Sequence, residues 1–298
     1  MTSIKNAFRD YLVLEKNYSL HTQKAYCDDV NSFEAFLQEA SFEVVLEKVE
    51  YFQIRSWVVF LVDTGLSNVS VNRKIASLKA FYKFLLKTKQ ISVNPLVRHR
   101  ALRVPKNIQI PFSEKEMNSL GDPFYEYLEF DELRNKLMVE MFYATGMRRS
   151  ELIDLKFKDV SVSGATVKVL GKRNKERVLP LLSSLVGLVE LYVDKRSKLE
   201  IVEDFDFFFL SSKGLKLSQS FVYRTINSYF STVSEKVKKS PHILRHTFAT
   251  HMLNNGADLN SIKELLGHSS LASTQVYTNN SLAGLKKVYK EAHPRNRK

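Results

Sequence analysis

Cysteine is nearly missing from this chain of 298 residues: Cys27 is the only one. An internal disulfide and a thiolate metal cluster are both excluded, which agrees with a reducing compartment and leaves Cys27 as a packing residue. Long apolar runs are missing too. Nothing approaches the roughly 18 apolar residues of a membrane span, and the opening Met1-Thr-Ser-Ile-Lys-Asn lacks the apolar core of a secretory signal. A cytoplasmic protein with no membrane span is the expectation. There is no internal repeat and no low-complexity tract.

Negative charge is also scarce. Against 45 Lys+Arg stand 32 Asp+Glu, leaving +13, a balance that favours an anionic partner, either nucleic acid or an acidic membrane surface. The deficit is concentrated between Thr64 and Ser113, where ten Lys/Arg occur with no Asp or Glu. Surfaces ordinarily intersperse the two signs. A one-signed stretch this long therefore points to phosphate contact over a merely solvated face. Arg73, Lys74, Lys79 and Lys83 are its candidate contacts to DNA or RNA.

The 44% hydrophobic content is ample for packed cores, and the length suits two domains. From Ser3 to about Leu96, apolar residues recur at three- and four-residue spacing, interrupted by turn signals at Asn17-Tyr18-Ser19 and Thr64-Gly65-Leu66-Ser67. This is the pattern of a small all-helical domain. In its fourth helix, roughly Val71 to Lys87, Val71, Ile75, Leu78, Tyr82 and Leu85 share a stripe, while Lys79, Lys83 and Lys87 line another.

Pro95, Pro105 and Pro111 bracket a stretch without periodicity. Ser113 and Glu116 then restart a helix as a capping box. Domains are accordingly expected at 1–104 and 113–298, with a linker at 105–112. The second domain opens on helices, one with Leu133, Leu137, Met141 and Ala144 on a face and Gly146 as its stop. A small antiparallel meander follows, built from Asp159–Ser163, Ala165–Leu170 and Glu176–Leu181, with Lys172 in a hairpin turn. Next come a helix near Ser183–Arg196, a short aromatic strand at Phe205–Leu210 and a helix near Ser218–Val237; the remainder is helical. The fold class is mainly α with a small antiparallel β-sheet.

Chemistry concentrates near the C-terminus. Ser240-Pro241 opens a helix, with Pro at the first position, where its missing N–H costs nothing. His242 and Arg245, three apart, project from one face of the first turn, near the positive end of the helix dipole. His246 and His251 follow on the same helix. His242-x-x-x-His246 has no Glu beside its first histidine, so it lacks the zinc-protease pattern. The helix Asp258–Leu266 stops at Gly267 and presents His268 at the turn; Tyr277 lies nine residues on. Guanidinium forks, imidazoles and a phenol nucleophile are the groups needed to attack a phosphodiester.

The motifs Ala144-Thr-Gly-Met-Arg-Arg-Ser-Glu-Leu152, Gly171-Lys-Arg-Asn-Lys-Glu-Arg177, Pro241-His-Ile-Leu-Arg-His-Thr-Phe-Ala-Thr-His251, Leu265-Leu-Gly-His-Ser-Ser270 and Thr274-Gln-Val-Tyr-Thr278 occur in this order. Together they resemble the tyrosine recombinases, the phage-integrase family. The first domain, with Ser19-Leu-His-Thr22, Tyr26 and Asp29, resembles that family's core-DNA-binding domain. The ending Ala292-His-Pro-Arg295 is similar to that of the Xer-type recombinases, which resolve chromosome dimers.

The resemblance implies roles. Tyr277 attacks the scissile phosphorus to give a 3′-phosphotyrosyl link and a free 5′-hydroxyl. Arg148 and Arg245 hold the phosphate, Lys172 protonates the departing 5′-oxygen, and His242 and His268 handle protons, the dominant base among them left open. Lys175 and Arg177 are expected on the phosphate backbone. The chemistry needs no metal, cofactor or ATP. Partners implied are double-stranded DNA, a homo- or hetero-tetramer with a related recombinase passing through a Holliday junction, and a DNA translocase. Leu282, Leu285, Val288 and Tyr289 stand at helical spacing in a tail that either docks on a neighbouring subunit as an exchange helix or packs at home. An integrase or invertase of a mobile element and a DNA-binding protein without turnover are the alternative functions.

Overall fold

The computed structural model describes residues 4–105, 109–120, 125–171, 175–231, 234, 236, 239–267 and 287–296. The chain divides into two units, Met1–Asn107 and Ile108–Lys298, each with its own hydrophobic core. Among the described residues no helix is long and apolar enough to cross a membrane.

The first unit is helical: α1 (Ile4–Asp10), running into a π-helical turn at Tyr11–Glu15, then α2 (Leu20–Glu39), α3 (Tyr51–Asp63) and α4 (Asn68–Lys87). Serine side chains open the two long helices. Ser19 accepts the backbone N–H of Thr22, and Ser67 that of Ser70, each satisfying a donor the helix cannot. The expected α4 stripe is buried, with Val71, Leu78 and Leu85 wholly so, while Lys79, Lys83 and Lys87 are exposed. Phe8, Leu12, Phe33 and Trp57 complete the core against it.

The second unit starts at α5 (Glu114–Asn118), whose capping box is formed as expected: the Ser113 hydroxyl takes the Glu116 N–H, and the Glu116 carboxylate takes the Ser113 N–H at 2.7 Å. Next come α6 (Phe130–Thr145), α7 (Arg149–Ile153), the strands β1 (Val160–Ser161), β2 (Thr166–Leu170) and β3 (Glu176–Pro180), and the helices α8 (Ser183–Ser197), α9 (Gln219–Ser231), α10 (Pro241–Asn254) and α11 (Leu259–Leu266). The helix α6 runs through the core. Leu133, Leu137, Met138, Met141 and Phe142 have no exposed surface, and the helix packs on both α8 and α10. The strands form the expected antiparallel meander β1-β2-β3, with Val169 opposite Arg177 in its register.

One expected element does not form. The aromatic segment 205–210 is not a strand: it contributes only isolated bridges, Lys156 with Phe207 and Leu210 with Lys216. Arg196 instead donates to the Phe205 and Phe207 carbonyls, and Phe208 and Phe209 point into the core. Aromatic content reflected burial here rather than a ladder.

Candidate active site

Two helix ends shape the site. α6 stops at Gly146 and α11 at Gly267, both left-handed with φ of 61° and 64°. Such termini leave carbonyls without intrahelical partners, at the negative end of each helix dipole. These carbonyls are taken up by arginines.

Arg245 lies on the first turn of α10, where Pro241 occupies the first helical position. It donates Nη1 to the Gly146 carbonyl at 2.6 Å and Nη2 to the Leu266 carbonyl at 2.7 Å, drawing the two helix ends together. Arg148, at the start of α7, donates Nη1 to Glu151 Oε1 at 2.6 Å and Nη2 to the Gly267 carbonyl at 3.3 Å. Arg177, on β3, donates Nε to the Leu265 carbonyl at 2.8 Å. Three successive carbonyls of the α11 terminus therefore each receive a different guanidinium. Helix-end dipole and charge-assisted hydrogen bonds together set the arginines in place.

Glu151 balances part of this charge. Its carboxylate is 3% exposed and accepts from Arg148, from the Arg148 backbone N–H and from both terminal nitrogens of Arg177. Burial alone would raise its pKa; the Arg177 and Arg148 bonds outweigh that and hold it down to about 2. Arg245 is pushed down to about 10 by burial and then by the charge of Arg148, so it stays protonated at neutral pH. His242 has its pKa lowered by desolvation and by Arg149, Arg245 and Arg148 in turn, which keeps the imidazole neutral and able to take a proton.

Of the expected catalytic residues, Arg148, His242 and Arg245 are brought together; Lys172, His268 and Tyr277 lie outside the described residues. Residues on either side of Lys172 and the one preceding His268 are described. Gly171 and Lys175 close the neck of the Lys172 hairpin through a 2.8 Å backbone bond, and Gly267 leads directly into His268. His251 belongs to the core, 5% exposed with Nδ1 2.9 Å from the Tyr143 hydroxyl.

The basic residues divide. Lys79, Lys83 and Lys175 are exposed. Arg73 and Lys74 both reach the buried Asp29, at 2.7 and 3.1 Å, which also takes the Ser77 hydroxyl. Arg177 departs from its expected place on a phosphate backbone: it is 5% exposed and its guanidinium is committed to Glu151 and Leu265. Residues 287–292 are helical and pack at home: Tyr289 is buried and donates its hydroxyl to the Ala144 carbonyl at 2.8 Å. Leu282 and Leu285 lie outside the described residues.

Sequence reading missed Glu151 and the α11 carbonyls. Glu151 stands three residues after Arg148, the spacing of a helix-opening acid, and that was the available signal.

The Phage integrase family pattern matches residues 106–283, and the N-terminal SAM-like domain of phage integrases matches residues 6–89. The Tyrosine recombinase XerC of Staphylococcus carnosus (strain TM300) is 38% identical over 304 residues, covering 100% of this chain and 99% of that one. This chain belongs to the phage integrase family, the tyrosine recombinases. The XerC of Chlorobaculum parvum (strain DSM 263 / NCIMB 8327) is 37% identical, covering 96% of this chain and 93% of its own. A tyrosine recombinase of the Xer kind, and so a site-specific recombinase, is the enzyme these full-length likenesses describe. Among solved structures, the XerH recombinase bound to palindromic difH substrate shares the fold at a TM-score of 0.69 and 20% identity, over 98% of this chain and 82% of that one. A lambda integrase tetramer bound to a Holliday junction does so at 0.68 and 17%, over 92% and 79%.

Proposed function

We propose that this recombinase acts in the cytoplasm to cut and rejoin DNA in resolving chromosome dimers. Tyr277 is the nucleophile: its phenolic oxygen attacks the scissile phosphorus, the bond to the 5′-oxygen breaks, and that oxygen leaves with a proton from Lys172. The products are a 3′-phosphotyrosyl link and a free 5′-hydroxyl. Because the covalent link keeps the energy of the broken bond, a 5′-hydroxyl from another strand reverses the step and expels the tyrosine without ATP.

Arg148 and Arg245 hold the non-bridging oxygens, His242 accepts the phenolic proton, and His268 supports the phosphate beside them. The observation that carries this reading is the convergence of Arg148 and Arg245 on the α11 terminus, from which His268 follows. Cations already oriented by carbonyls need little reorganisation when charge builds on the phosphorane oxygens. The exposed Lys79, Lys83 and Lys175 suit backbone phosphates, which position a duplex without reading its sequence. The working assembly is a tetramer on two duplexes passing through a Holliday junction, of this chain alone or with a related recombinase, and served by a DNA translocase.

A nicked suicide duplex carrying a candidate chromosomal site tests the chemistry. The wild type is expected to form a covalent adduct, and Tyr277→Phe none. An adduct that survives in the variant removes Tyr277 from its role. Excision between two direct copies of the site, with and without a related recombinase, then separates the two tetramers.

A further inference from the structure

Arg177 joins three segments of the second unit, namely β3, α7 and the α11 terminus. It lies on β3, opposite Val169 across the hairpin that carries Lys172. Its Nε reaches the Leu265 carbonyl at 2.8 Å, just before the turn to His268. Its Nη1 and Nη2 fork onto Glu151 at 3.0 and 2.7 Å, and the same Glu151 Oε1 takes Arg148 at 2.6 Å. A glycine makes room for it: a Cβ on Gly267 would lie 3.1 Å from Arg177 Nη1, closer than an ordinary contact.

We propose that Arg177 is a positioning residue for strand transfer: its buried guanidinium clamps Glu151 and the α11 terminus, and so sets the register of Arg148 against β3 and the α11 terminus. The inference rests on the recombinase reading above. Stability alone explains this arrangement poorly. A buried ion pair is commonly no more stabilising than a packed apolar pair, so a fork of this kind is better accounted for by what it orients. Lysine cannot reproduce it, since a point charge offers no planar pair of donors to one carboxylate.

The test uses full-length Arg177→Met and Arg177→Lys in single-turnover cleavage of the nicked duplex. The scissile group is either a normal phosphate or a methylphosphonate, in which a methyl replaces one non-bridging oxygen and removes the negative charge. On phosphate, both variants are expected to cleave about 100-fold more slowly, the scale of losing one preorganised donor. Relative to wild type, the methylphosphonate-to-phosphate rate ratio is expected to rise about tenfold, because a neutral centre relies less on a well-placed Arg148.

A merely structural role would lower both rates by one factor, and that result overturns the proposal. So does wild-type cleavage by both variants, or a uniform loss of DNA affinity with a shallower salt dependence, which would make Arg177 a phosphate contact. If Arg177→Met fails to fold, Arg177→Lys keeps the buried charge and is read by the same ratio. A wild type that makes no Tyr277 adduct instead overturns the recombinase reading, and the two failures stay distinct.

Discussion

The Arg245 side chain and the Leu266 carbonyl are joined at 2.7 Å, across 21 residues of sequence. With the second bond to Gly146, one guanidinium ties together the ends of two helices that are otherwise separated along the chain. A planar fork serves both carbonyls at once; an ammonium would favour one and leave the other buried without its donor.

Arg245→Lys therefore separates charge from geometry. The charge remains, yet single-turnover cleavage is expected to fall by about 100-fold or more, in line with loss of a preorganised transition-state donor. DNA affinity should change little. Wild-type cleavage in this variant would show that charge alone suffices at this position.

The packing of Gly146 gives a second prediction, one of stability. A Cβ there would lie 2.4 Å from Phe248 Cδ1 and 2.8 Å from Leu266 Cδ2, and φ is +61°. Gly146→Ala combines left-handed strain with a clash in the core and should cost about 2–5 kcal/mol. Gly65, at φ +84° with nothing within 4 Å, supplies the control: Gly65→Ala should cost only about 1–2 kcal/mol. Denaturant unfolding of the two variants checks the difference, and equal losses would discount the clash.

How far such features could be read in advance depends on what determines them. The α4 stripe, the Ser113–Glu116 box and the Gly146 and Gly267 stops are local, and each is visible within a few residues. Arg177 is the opposite case. In a run of Lys and Arg it looks like surface charge, but β3 alternates, and Arg177 shares its inward face with buried Leu179 two residues on. That alternation was a usable sign of burial; the partner, Glu151, was not visible because 26 residues separate them. Likewise, Arg73 and Lys74 meet Asp29 only through the packing of α2 on α4.

His242 offers a prediction in pH. Desolvation and the nearby Arg149, Arg245 and Arg148 lower its pKa, so in DNA-free protein its imidazole should titrate below the ordinary value of about 6.5. Arg149→Gln, which removes one positive neighbour, should raise the midpoint. As a neutral base, His242 supports cleavage above its midpoint, and the rate should decline as pH falls through it. Histidine NMR titration checks the first two points; a midpoint above the ordinary value would mean that the cations do not control this ring.

His293 carries the last prediction. The ring is fully buried, with Nε2 3.3 Å from the Tyr143 carbonyl and Nδ1 accepting the Arg295 backbone N–H at 3.2 Å. Those partners select the neutral tautomer with its proton on Nε2, since a proton on Nδ1 would face another donor. Burial, with the charge of Arg295, brings its pKa down to about 4 from 6.5. A depressed histidine pKa favours the neutral folded state, so the stability it preserves is complete above the unfolded value and is lost as pH falls from about 6.5 towards 4. The difference corresponds to about 3 kcal/mol. His293→Gln can keep the donor without taking up a proton, so its stability should fall less over that range by about this amount. Unfolding measured at pH 7, 5.5 and 4 decides the point: parallel pH profiles for variant and wild type would remove His293 as the source of acid lability.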